Sequence, residues 1–193
     1  MANQTVRIVG GQYRGRRIPI MRGNELRPTP DRVRETLFNW LRHFWAGHFA
    51  DKQVLDLFAG TGVLGFEAAS HGVAFVQLVE QNQRAAQALR QFRNTLGAEQ
   101  IRIHHGDAMH VLERSTHQYD LILLDPPFGQ GWFERIWPHL PNLLTPQALI
   151  YVEAEKRLTI PASYHILRQQ KAGHVHYQLL EFAGEAKKDN NAQ

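Results

Sequence analysis

The chain contains no cysteine, which excludes thiol catalysis, disulfide frameworks and every cysteine-based zinc site. No run approaches the roughly 20 apolar residues of a membrane span, and Met1-Ala2-Asn3-Gln4 does not open a signal peptide. The expected location is therefore cytoplasmic, with no membrane partner. Internal repeats and low-complexity tracts are also missing. What remains is an ordinary globular composition, 43% hydrophobic and 21% charged over 193 residues. That is enough for one substantial core and too little for two full domains.

Acidic residues are scarce at one end. Residues 1–50 hold nine Arg against Glu25, Asp31 and Glu35, a balance of +6, whereas residues 51–193 hold 13 basic and 15 acidic residues, a balance of −2. A one-sided cationic segment is what a polyanion-binding arm looks like, because cations that neutralise phosphates release counterions. A solvated surface segment fits the charge equally well.

Patterning divides the chain into an N-terminal extension over 1–50, a main domain over 51–183 and a flexible polar tail over 184–193. Alternating apolar residues broken by Gly10-Gly11 and Gly15 predict a small hairpin over Val6–Ile20. Thr29-Pro30 then supplies an N-cap and a proline at the first helical position. Val33, Leu37, Trp40, Leu41, Phe44 and Trp45 follow at helical spacing, an aromatic stripe read as core packing. From Val54 the expected strands are Val54–Phe58, Phe75–Glu80, Ile101–His104, Tyr119–Asp125, Ala148–Ala154, Tyr164–Gln169 and Val175–Phe182. The expected helices are Val63–His71, Gln83–Leu96, Ala108–Arg114 and Trp132–Leu144. This alternation implies an α/β fold with βαβ units and a mostly parallel seven-stranded sheet. Too few residues separate the last two strands for a crossover, so they are expected as an antiparallel edge hairpin.

The first strand runs into Ala59-Gly60-Thr61-Gly62-Val63-Leu64-Gly65, which matches the G-x-G-x-x-G loop of a nucleotide site, and Glu80 lies twenty residues after Gly60, placed for ribose hydroxyls. Asp56, at the carboxyl end of that strand, would repel a pyrophosphate by about 2–3 kcal/mol and attract a cation by as much. S-adenosylmethionine, with an ammonium, a sulfonium and no phosphate, therefore suits the site better than NAD. Asp107 and the Ala108 N–H suit an adenine edge, although helix capping accounts for Asp107 as well. The tetrad Asp125-Pro126-Pro127-Phe128 arises by chance only a few times in a thousand such chains. Its carboxylate and first prolyl carbonyl suit the two hydrogens of an exocyclic amine, and Phe128 suits a base drawn from its stack. The eleven histidines join no HExxH pattern or carboxylate cluster; His174 and His176 read as surface or RNA-facing, and no metal is expected.

These motifs together resemble the Rossmann-like class I S-adenosylmethionine-dependent amino-methyltransferases. The blocks Arg7–Gly11, Arg14–Arg17 and Leu26–Phe38 are similar to those of the bacterial 16S rRNA guanine-N2 methyltransferases, the RsmD family, over nearly the whole chain. The resemblance implies methylation of the guanine 2-amino group at position 966 of 16S rRNA within an assembled or assembling 30S subunit, by a monomeric protein that yields S-adenosylhomocysteine. It implies a cofactor site at Asp56, Gly60, Gly62, Glu80, Asp107 and Ala108 and a catalytic tetrad at Asp125, Pro126, Pro127 and Phe128. Arg14, Arg16, Arg17, Arg27, Arg32 and Arg34 are the candidates for RNA phosphates, the last three being equally suited to ordering the loop and helix beside the site. Competing readings are DNA adenine-N6 or protein glutamine methylation, an NAD-dependent oxidoreductase, and a non-enzymatic RNA-binding module.

Overall fold

A computed structural model describes residues 4–20, 29–127 and 129–184. The N-terminal alternation forms the antiparallel pair β1 (Thr5–Arg7) and β2 (Arg17–Pro19), followed by α1 (Asp31–Phe44). The main body is β3 (Gln53–Asp56), α2 (Val63–Ser70), β4 (Phe75–Glu80), α3 (Gln83–Leu96), β5 (Ile101–His105), α4 (Ala108–Arg114), β6 (Tyr119–Leu124), α5 (Trp132–Ile136), β7 (Leu144–Ala154), β8 (Tyr164–Ala172) and β9 (Val175–Phe182). The seven strands lie in the order β5-β4-β3-β6-β7-β9-β8, the first five parallel and β9 antiparallel to both its neighbours. The Rossmann-like α/β expectation and its antiparallel edge hairpin are met. Residues 185–193, most of the expected tail, lie outside the described residues.

The sheet is buried on both faces, which is why β6 reads Leu121-Ile122-Leu123-Leu124 without a polar break. Leu121 and Leu123 join a core with α1, α2 and α3, while Ile122 and Leu124 join a second core with α4 and α5. The strand order reverses between β3 and β6, and the crevice outside the carboxyl ends of strands at such a point is where ligands of open α/β sheets bind.

Several expected boundaries move, β7 for instance starting at Leu144 rather than Ala148. The helix expected over 132–144 stops at Ile136 and continues as a 3-10 turn over Leu140–Leu143. Pro138 and Pro141 lack the N–H groups a continuous helix needs and restrict the residues before them. Helix α1 starts one residue late, with Pro30 rather than Thr29 at its N-cap and no side-chain cap. His174 falls in the β8–β9 turn rather than on a strand beside His176.

The N-terminal extension is built into the body. Val6, Ile8 and Ile18 from the hairpin and Val33, Leu37, Phe38 and Leu41 from α1 share the core of α2 and β3. The hairpin connection lies on the carboxyl-terminal half of α2: Val9 and Gly10 N–H groups donate to Glu67 at 2.7 and 3.2 Å, and the Tyr13 N–H donates to Ser70 Oγ at 2.8 Å.

Candidate active site

Parallel register sets the site. Asp56 at the end of β3 pairs with Leu78 on β4 and Leu123 on β6. Glu80 and Asp125 each stand two residues farther along, so the period-2 alternation brings both to the face that carries Asp56. On β7, Val152 pairs with Leu124, which puts Glu153 beside Asp125. Four carboxylates thus meet at the carboxyl rim of four adjacent strands.

Each is held differently. Asp56 is 2% exposed and accepts the Gly65 N–H at 3.1 Å. Burial, with the charges of Glu80 and Glu153 adding to it, pushes its pKa up to about 7 although backbone N–H groups oppose the shift. Glu80 takes the Gly60 N–H on one oxygen at 2.9 Å and the Asn82 N–H on the other at 2.7 Å. Its carboxylate therefore braces the glycine loop from the neighbouring strand. Asp125 is held well above the usual carboxylate range, first by desolvation and then by the nearby charges of Glu153 and Asp56.

The glycine loop needs glycine for two separate reasons. Gly62 is the N-cap of α2 at φ 75°, a left-handed conformation that costs an L side chain dearly. At Gly65 a Cβ would overlap Leu78 on β4, so the helix approaches the sheet only without a side chain there. Asp107 is the N-cap of α4, its Oδ1 accepting from Met109 and His110 N–H groups at 2.8 and 3.2 Å, and Ala108 is the first, buried residue of that helix. Pro126 is buried and Pro127 exposed at the end of β6. Phe128 lies outside the described residues.

Glu153 is the residue that sequence reasoning missed. It is 3% exposed, and its Oε1 accepts from Thr29 Oγ1 and from Tyr151 OH, both at 2.9 Å. Burial raises its pKa against those two hydrogen bonds and the Arg34 charge. A lone acid in the apolar run Ala148–Ala154 was the available signal. Thr29, expected to cap α1, spends its hydroxyl on this carboxylate instead and ties the segment before α1 to the rim.

The arginines separate. Arg14, Arg16, Arg17 and Arg32 are exposed, and Arg27 lies outside the described residues. Arg34 departs from the expected phosphate contact and fits the ordering role instead: it is 0% exposed and does not face RNA. Its guanidinium donates to the Thr29 carbonyl at 3.1 Å, the Arg7 carbonyl at 2.7 Å, Glu67 at 2.5 Å and Asp31, joining hairpin, α1 and α2. Among the described residues no group of three or more His, Cys, Asp or Glu is placed to hold a metal ion, and no helix is long and apolar enough to cross a membrane.

The model of a family described as Conserved hypothetical protein 95 matches residues 6–181. A protein of Escherichia coli strain K12 named ribosomal RNA small subunit methyltransferase D is 40% identical over 189 residues, covering 95% of this chain and 93% of its own. A protein of the same name from Haemophilus influenzae is 38% identical, covering 93% and 95%. A solved Escherichia coli structure is 41% identical with a TM-score of 0.82, covering 93% of this chain and 98% of that one.

Proposed function

The chain belongs to the family of Conserved hypothetical protein 95 and of the ribosomal RNA small subunit methyltransferase D proteins, and on that premise we propose that it transfers a methyl group from S-adenosylmethionine to small-subunit ribosomal RNA, the acceptor being the exocyclic 2-amino group of a guanine at position 966 of 16S rRNA. The observation that carries the reading is the convergence of Asp56, Glu80, Asp125 and Glu153 at the crevice, with burial and mutual repulsion raising Asp56 to about 7. That cluster fits a cofactor with two positive centres and disfavours the pyrophosphate of a dinucleotide. S-adenosylmethionine supplies, when bound, an electrophilic methyl group on a sulfonium.

The protein's own work is then positioning and electrostatics. Asp56 and the glycine loop over Gly60 and Gly62 would hold the cationic end of the cofactor, Glu80 its ribose, and Asp107 and Ala108 its adenine. An exocyclic amine is a poor nucleophile because its lone pair is delocalised into the ring. The Asp125 carboxylate and the Pro126 carbonyl each accept one amine hydrogen, which favours a pyramidal nitrogen whose lone pair points at the methyl. Pro126 and Pro127 fix that carbonyl through their restricted dihedrals. Phe128 stacks the extruded guanine, and Arg14, Arg16, Arg17, Arg27 and Arg32 meet phosphates. A positive charge among the carboxylates favours their ionised forms, opposing the upward shift that burial gives Asp125.

The test is methyl transfer to small subunits lacking the mark, with mass spectrometry to locate the added methyl. Wild type is expected to place it on the 2-amino group of one guanine. Asp125→Ala is expected to lose at least about 100-fold in rate, the scale of removing one aligned polar group from a transition state. Undiminished transfer by Asp125→Ala would overturn the mechanism.

A further inference from the structure

Whole-chain charge conceals a second basic surface. Residues 156–176 carry Lys156, Arg157, Arg168 and Lys171 and no carboxylate. They belong to the part of the chain whose sum is negative. The fold gathers two of these cations into a surface cleft of about 280 Å³ lined by Arg157, Gln169, Gln170, Lys171, His176 and Gln178. Every lining side chain offers an N–H donor and none is an acid. The ion pairs among the described residues include neither Arg157 nor Lys171.

Register gives the cleft its place. Lys171 on β8 pairs with His176 on β9, His176 pairs with Ala154 on β7, and Glu153, the residue before it, stands beside Asp125. The cleft therefore lies on the carboxyl rim of the same sheet, two to three strand spacings, roughly 10–15 Å, from Asp125. An extended single strand covers that distance in a few nucleotides. Edge-strand protection explains a lysine on β8. It does not explain why Arg157, from the segment after β7, and His176, from β9, converge on the same space.

We infer that this cleft is a phosphate-binding surface for the RNA strand flanking the target nucleotide, so that the β8–β9 hairpin holds the substrate beside the site in addition to the N-terminal arginines. The inference rests on the ribosomal RNA reading above. Guanidinium, ammonium and three amide groups suit phosphate and ribose oxygens without reading base sequence. The cleft would therefore contribute affinity and register and leave the choice of guanine to the crevice.

The experiment compares wild type, Arg157→Gln/Lys171→Gln and a control, Arg102→Gln/Arg114→Gln. The control removes two cations from a second cleft at the amino ends of the strands, where Gln53, Phe75 and His117 also lie. Methylation of unmarked small subunits gives KM and kcat, and binding to a single-stranded oligoribonucleotide with the sequence around the target gives the salt slope. For the hairpin variant, KM is expected to rise about 10-fold with kcat and S-adenosylhomocysteine affinity unchanged. Its salt slope on the oligoribonucleotide is expected to fall by about 1.4, the value for two lost contacts to a single strand. The control should match wild type. Unchanged KM and slope in the hairpin variant, or an equal loss in the control, overturns the surface while leaving the methyltransferase reading intact. A loss on subunits with none on the oligoribonucleotide assigns the cleft to a protein partner and overturns it too. Wild type inactive on small subunits overturns the ribosomal RNA reading and this inference with it.

Discussion

On the proposed function, the pKa of Asp56, near 7, would make cofactor affinity depend on protons. The unfolded carboxyl titrates near 4, so between about pH 4 and 7 the folded protein without ligand binds the additional proton, and this group's contribution to stability falls as pH rises through that window. A cationic ligand beside Asp56 reverses the shift. Binding of S-adenosylhomocysteine, which keeps the ammonium, should therefore release a fraction of a proton at pH 7. Calorimetry in two buffers of different ionisation enthalpy should show this for wild type and a smaller release for Asp56→Asn; an enthalpy independent of buffer would refute it. Asp56, Glu80, Asp107 and Asp125 were legible in the sequence because each closes a recognisable strand or opens a helix. Glu153 was not, because its meaning lies in its neighbours Asp125, Tyr151 and Thr29, and Thr29 is distant in the chain.

At the scale of elements, Arg34 joins pieces that packing alone leaves adjacent. Its pair with Glu67 is 0% exposed on both sides, and burial pushes the Glu67 pKa up even against that guanidinium and two backbone donors. Removing one partner of a buried pair strands the other, at a cost of about 3–5 kcal/mol. Arg34→Ala should show that loss in urea unfolding at pH 7. Arg34→Lys should recover little of it, since an ammonium cannot reach four acceptors in a plane. A midpoint equal to wild type would show that the network is dispensable. The helix itself was readable from its period of apolar residues. Its cap was not, since the Thr29 oxygen could accept a helix N–H while its hydroxyl could donate to a carboxylate, and only the fold brings Glu153 within 2.9 Å.

For the whole molecule, one core crosses the boundary expected at residue 50. Helix α1 covers the sheet through contacts such as Trp40 stacked on Tyr177 at 5.5 Å, and Phe38 stacks on His71 at 4.5 Å. A chain of residues 51–193 is therefore expected to lose cooperative thermal unfolding, whereas Arg14→Gln/Arg16→Gln/Arg17→Gln, confined to exposed side chains, should keep the Tm within a few degrees. Calorimetry decides; a truncated chain melting at the wild-type Tm would contradict the shared core. The amino-acid sequence by itself determined the α/β alternation, the glycine loop and the acids at strand ends, because those signals are periodic or contiguous in the chain. The order of the strands beyond the edge hairpin, the inward face of Arg34 and the placing of Arg157 and Lys171 on one cleft were decided by tertiary structure alone, because register across a sheet joins residues whose chemistry is unremarkable until they share a surface.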